Sequence, residues 1–226
     1  SIQVLALTQQ RREQLAQIPP RPDDVLIVGN PTMPALQTAP NQPPQPLAPL
    51  PGAAIEAAAI ADLFNTTPLI GSAATETAVR SRLPTARIIH LATHGLLDDL
   101  YGFQSGMALA PTARDDGFLQ TREIINLEIQ AELVVLSACN TGQGRLTGDG
   151  VVGLSRSFIG AGVPSVVVSI WAVPDEPTAL LMTEFYRQMQ SSGDKAQALR
   201  QAMLRTMATH PAPHDWAAFT LIGETE

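Results

Sequence analysis

Lysine is almost missing from this 226-residue chain: Lys195 stands alone, and the other 13 of the 14 basic residues are arginines, scattered singly apart from Arg11-Arg12. With a formal net charge of −7, that scarcity argues against nucleic-acid binding as the main task, because neutralising phosphates takes clustered cations. Cysteine is nearly absent too. The single Cys139 excludes an internal disulfide and suits a reducing compartment, so a cytoplasmic setting is expected. No apolar run approaches the ~18 residues of a spanning helix, and no membrane segment is expected. Residues 1–21 lack the ordered basic, apolar and small-residue zones of a signal peptide. A start at Ser1 in place of methionine leads us to expect a fragment of a longer protein.

What is present reads as one compact unit. Hydrophobic residues reach 45% against 15% charged, a globular balance in a chain long enough to bury a full core. No repeat of 20–50 residues appears, so a single domain over 1–226 is expected, with about 1–24 as a lead-in. The chain alternates strand-like and helix-like runs, the pattern of a mostly parallel sheet covered on both faces. Strands are predicted at 25–29, 87–93, 133–138, 165–172 and 216–222, with Met107–Ala110 as a candidate edge strand. Helices are predicted at 53–64, 75–83, 121–128, 150–162, 177–190 and 195–209. Between Pro31 and Pro51 stand eight prolines and no charge, which predicts an extended loop.

Right-handed crossovers point the parallel strands one way, so 87–93, 133–138 and 165–171 end on one edge, where open α/β sheets bind ligands. His94 ends one of those strands and Cys139 another. On neighbouring strands ~4.8 Å apart, imidazole and thiol would emerge together. A free thiol is largely protonated at neutral pH, and a nearby imidazole makes it a working nucleophile. Gly95 lets the chain turn so that its N–H, with that of Cys139, can hold the oxyanion of an acyl transfer.

At these residues the sequence resembles a known family. The segments Ile89-His-Leu-Ala-Thr-His-Gly95, Ala131-Glu-Leu-Val-Val-Leu-Ser-Ala-Cys-Asn-Thr-Gly142 and Gly150-Val-Val-Gly-Leu-Ser-Arg156 look like the CHAT family. So do Ser169-Ile-Trp-Ala-Val-Pro-Asp175 and Trp216-Ala-Ala-Phe-Thr-Leu-Ile-Gly223. The resemblance runs over about 25–223 and implies a caspase-like three-layer α/β/α sandwich with a mostly parallel central sheet. It implies a cysteine endopeptidase related to separase and the gingipains, with His94 and Cys139 as the dyad and no metal or organic cofactor. It also implies a protein or peptide substrate, and upstream tetratricopeptide repeats or a regulatory partner. Asp175 lies in the matching Trp-x-Val-x-Asp segment, where an acidic pocket in separase and gingipain relatives selects a basic side chain. Asp175, with Asp149 in reserve, is therefore the expected substrate-binding carboxylate, and a guanidinium fork favours Arg over Lys there. Pro174 departs from the acidic or polar residue that many members carry.

Other features read more plainly. His90 and His94 would pair on a metal in a helix, but along a strand they lie roughly 13 Å apart, so His90 is expected to be a hydrogen-bonded strand residue. His210 and His214, between prolines, are expected at the surface. Gly148-Asp-Gly-Val-Val-Gly153 matches a dinucleotide fingerprint, but too far after its strand; close packing of a helix start is the expected reason for its glycines. Ser155 would sit inside a helix, away from any nucleophile elbow. Trp171 and Trp216 are expected core aromatics. A noncatalytic interaction or scaffold module that keeps the fold is the rival to the peptidase.

Overall fold

The computed structural model describes residues 2–21, 24–37, 43–96, 105–137 and 148–226. In chain order these form α1 (Ile2–Leu15), β1 (Val25–Pro31), a small hairpin of β2 (Ala35–Leu36) and β3 (Gln45–Pro46), and α2 (Pro51–Phe64). Then come β4 (Leu69–Gly71), α3 (Glu76–Arg82), β5 (Ile88–Ala92), β6 (Gly95–Leu96), β7 (Gly106–Ala108) and β8 (Phe118–Gln120). The rest is α4 (Thr121–Ile124), β9 (Leu133–Leu136), α5 (Gly148–Gly160), β10 (Ser165–Ser169), α6 (Asp175–Ser192), α7 (Lys195–Thr209), α8 (Pro213–Trp216) and β11 (Phe219–Gly223).

The main sheet runs β11-β10-β9-β5-β1-β4. Its strands pair in parallel except β11, which closes one edge antiparallel to β10. Strand residues alternate between faces, and here both faces are covered, which explains why the strands are apolar throughout. Leu26, Val28, Ile89, Leu91, Val134 and Leu136 join Val79, Leu154 and Phe158 in one core. Val25, Ile27, Leu133, Val135 and Val167 join Ile60, Leu181, Phe185, Tyr186 and Leu199 in the other. Helices α3 and α5 thus cover one face, and α2, α6 and α7 the other. This is the α/β/α sandwich that the patterning predicts.

Close packing of α2 on β1 depends on Gly29, where a Cβ would overlap the Ala53 carbonyl and the Ala57 methyl. Helix α2 opens with proline in its first turn and ends at Asn65 in the left-handed conformation (φ 50°), both favoured placements.

Several expectations need correction. The lead-in holds helix α1, and the proline-rich segment carries the β2–β3 hairpin, in which Pro46 occupies a strand position that gives up no inner ladder bond. Met107 belongs to β7, the middle strand of a separate antiparallel sheet β6-β7-β8, so it is no edge strand. Strand β5 ends at Ala92 and β10 at Ser169, and Trp216 closes α8 ahead of β11. Gly153 has open space where a Cβ would stand, so close packing does not account for that glycine. No helix among the described residues is long and apolar enough to cross a membrane.

Candidate active site

Strands β5 and β9 are direct neighbours: Ile88 pairs with Leu133 and Leu91 with Leu136. That sequence interval of 45 also separates His94 from Cys139. Cys139 lies outside the described residues, as does Arg145. The described chain reaches Ser137, on the face of β9 shared with Leu133 and Val135.

His94 follows the end of β5 and is 1% exposed. Its Nε2 lies 2.6 Å from the Ala48 carbonyl. A carbonyl only accepts, so Nε2 carries the proton and donates, which makes Nδ1 the basic nitrogen. The preceding residue is tied down as well, with Thr93 Oγ1 donating to the Ala108 carbonyl at 2.7 Å. Ala108 N donates to the His94 carbonyl at 2.9 Å, making 94 and 108 a bonded antiparallel pair. Gly95, opposite Met107, then takes the non-bonded position, and its N–H points away from β7.

Ala48 belongs to the segment that leads into α2, and two side chains pin that segment. Asn30, at the end of β1 with φ 43°, accepts from Leu50 N at 2.7 Å. Asp175 Oδ2 accepts from Gly52 N at 3.1 Å. Leu50, the N-cap of α2, has no side-chain cap of its own, so Asp175 supplies a cap from another helix. Residues 48–52 therefore bring the predicted His94 and Asp175 to one place. Asp149 falls in the first turn of α5, and its side chain lies outside the described residues.

Beside this segment, between the start of α2, the start of α6 and the sheet edge, lies a cavity of about 170 Å³. Thr93, Ser137, Gly52, Asp175, Val173 and Glu56 contribute to its lining. Glu56 went unread in the sequence, although it is the one charged residue in the otherwise apolar stretch 51–61. A lone charge within so apolar a stretch must point at something. It is 3% exposed, with Oε1 3.1 Å from His90 Nε2. That approach lies off the ring N–H direction, and neither atom has an aligned hydrogen bond. His90 Nδ1 meets the Tyr186 hydroxyl at 3.1 Å, which makes His90 the bonded strand residue expected. Burial, and after it the charge of Glu56, pushes the Tyr186 phenol well above its ordinary pKa. Tyr186 thus keeps its hydroxyl proton.

Trp171 donates from Nε1 to the His214 carbonyl at 2.9 Å and packs on the α6 core. His214 is exposed and His210 half-buried at the end of α7. Ser155 is buried within α5.

The CHAT domain family model matches residues 1–224. The chain belongs to the CHAT domain family. Tetratricopeptide repeat protein 28 of mouse is 28% identical over 210 residues, covering 77% of this chain, and that of human is 27% identical over 215 residues, also covering 77%. This CHAT domain spans only 9% and 8% of those two relatives. Among solved structures it is similar to the Arg-specific cysteine proteinase gingipain R, with a TM-score of 0.56 at 12% identity. That match covers 98% of this chain and 51% of gingipain R. At such identity the likeness concerns the fold, which is caspase-like.

Proposed function

We propose that this CHAT domain is a cysteine endopeptidase that cuts after a basic residue, Arg preferred, with Cys139 as nucleophile and His94 as proton carrier. The observation that carries the proposal is His94 itself: buried, with its tautomer set by Ala48, just past the end of the strand paired at the 45-residue interval. In this reading the Cys139 thiolate attacks the scissile carbonyl and an acyl-enzyme forms. His94 Nδ1 takes the thiol proton and passes it to the leaving amine, and water then releases the acid. The N–H groups of Gly95 and Cys139 hold the oxyanion. Asp175 stands at the cavity for the cationic side chain, with Asp149 in reserve. The thiol must stay reduced, which favours a cytoplasmic setting. The repeat proteins among its relatives support a role for tetratricopeptide repeats in recruiting substrate or restraining the enzyme.

A noncatalytic scaffold is the second reading, favoured by the near-complete burial of His94. Labelling with a thiol-directed peptide electrophile separates the two. The peptidase reading expects labelling at Cys139 that slows sharply in His94→Ala, and equal rates leave Cys139 an ordinary thiol. Cys139→Ala and His94→Ala should each abolish turnover, and the double variant should be no worse, since members of a catalytic unit are non-additive. Peptidase activity retained in Cys139→Ala would sink the mechanism.

A further inference from the structure

Two carboxylates face the cavity beside His94, and they are placed very differently. Asp175 is exposed and spends one oxygen on the Gly52 N–H. Glu56 is 3% exposed, and its Oε1 has no aligned donor. Among the described residues the basic group beside it is His90, which is occupied on its other nitrogen by Tyr186. His90 Nε2 lies 3.1 Å from Glu56 Oε1 but off the line of a hydrogen bond, so it gives that oxygen no aligned donor. Such a neighbour lowers the cost of burying a carboxylate without completing its hydrogen bonding. A buried carboxylate on a cavity wall, with one oxygen left without an aligned donor, calls for an N–H donor from outside.

We propose that Glu56 is the specificity-determining carboxylate of this cavity and that its ligand is the guanidinium of an arginine side chain, with Asp175 at the mouth. The assignment rests on the peptidase reading only in taking that arginine to be the residue before the scissile bond. Several features favour a guanidinium. Its planar fork offers two parallel N–H groups to one carboxylate and a further N–H toward a second, and it is more weakly hydrated than an ammonium. The cavity also offers hydroxyl acceptors at Thr93 and Ser137, next to the strand ends that lead to His94 and Cys139. Glu56 and Asp175 come from separate helices whose first turns converge there, so their spacing is set by packing of α2 against α6. Asp175 alone, already bonded to Gly52, would leave the buried half of the cavity with no partner for the cation.

The test is agmatine, an arginine side chain on a plain amine, titrated by calorimetry into the unmodified chain and its variants. The unmodified chain should bind it, and Glu56→Gln should weaken binding by more than about tenfold. Glu56→Asp, which keeps the charge, should retain more binding than Glu56→Gln and serves if the latter unfolds. Equal affinity in Glu56→Gln and the unmodified chain, or no binding to the unmodified chain, overturns the assignment. Alkylation of Cys139 by iodoacetamide, compared with His94→Ala, reads the peptidase proposal separately. His94-dependent alkylation without agmatine binding leaves the dyad standing and removes only the Glu56 pocket. Glu56-dependent binding with His94-independent alkylation does the reverse.

Discussion

Asp175 and Gly52 hold the first turns of α6 and α2 together: the Gly52 N–H donates to the Asp175 carboxylate at 3.1 Å, and a Cβ at 52 would overlap the Asp175 side chain. The overlap includes the Asp175 Cβ, so trimming the carboxylate alone does not relieve it. Gly52→Ala should therefore lose ~1–3 kcal/mol of stability, the usual cost of overpacking. In a double-mutant cycle by denaturant unfolding, Asp175→Gly should recover part of that loss and Asp175→Ala should not. Strictly additive effects with Asp175→Gly would show that the helices separate freely at this point. Asp175→Ala should also cost ~0.5–2 kcal/mol as a lost cap, so its effect on cleavage after Arg has to be judged at matched folded fraction.

The position of His94 depends on Asn30 through three links: the Asn30 side chain fixes Leu50 N, that fixes the segment holding Ala48, and the Ala48 carbonyl fixes the imidazole. Asn30→Gly keeps a residue suited to the left-handed backbone and removes only the side-chain tie. It should cost about 1 kcal/mol, the worth of one hydrogen bond, while the His94-dependent alkylation rate of Cys139 falls severalfold. An unchanged rate would mean that the segment is held without Asn30.

The legible parts of this fold were those with continuous apolar runs. Val25–Val28, Leu133–Leu136 and Val166–Val168 are buried on both faces, and nothing but a central parallel strand needs that composition. Short elements escaped because three residues carry no period: β4 is Leu69–Gly71 and β8 is Phe118–Gln120, each defined only by the strand beside it. Helix α1 escaped because Val4, Leu5 and Leu7 point to solvent and trace no buried stripe. The place of His94 just past a sheet strand was readable from the apolar run before it, while Asp175 entered only through the family resemblance. Ala48 was not, because a backbone carbonyl in a proline-rich loop has no sequence signature. Nor was the cap that the Asp175 carboxylate gives to a different helix, a contact 123 residues away in sequence.

Self-processing, if the chain cuts after arginine, has two places to occur in the loops beside the dyad, Arg114 and Arg145, since 31–51 contains no basic residue. Arg114 sits in a closed turn: its N–H and that of Asp115 both donate to Thr112 Oγ1 at 3.1 Å, and Thr112 N donates to the Asp115 carbonyl at 3.0 Å. A protease needs an extended strand, so this turn has to open first. Intact-mass analysis after prolonged incubation should show cleavage at Arg145 before any at Arg114. A cut within 31–51 would contradict basic specificity altogether.

Lys195 gives the chain a pH dependence that can be signed. It opens α7 behind the Asp194 cap and is 7% exposed. Burial lowers its pKa below the ordinary 10.5, against the opposing pull of Glu132. The unfolded chain therefore holds this proton over a range in which the folded chain has released it, and stability from this group rises with pH there. The penalty is complete below the folded pKa and fades as pH climbs toward 10.5. Replacing Lys195 with methionine, which keeps the length and removes the charge, should raise the melting temperature at neutral pH. That advantage should shrink as the buffer is taken up toward pH 10. The comparison has to be a difference between the two proteins, because Tyr186, raised by burial, destabilises both in the same alkaline range. An advantage of Lys195→Met that stays constant across the range would mean that packing, not the buried charge, separates them.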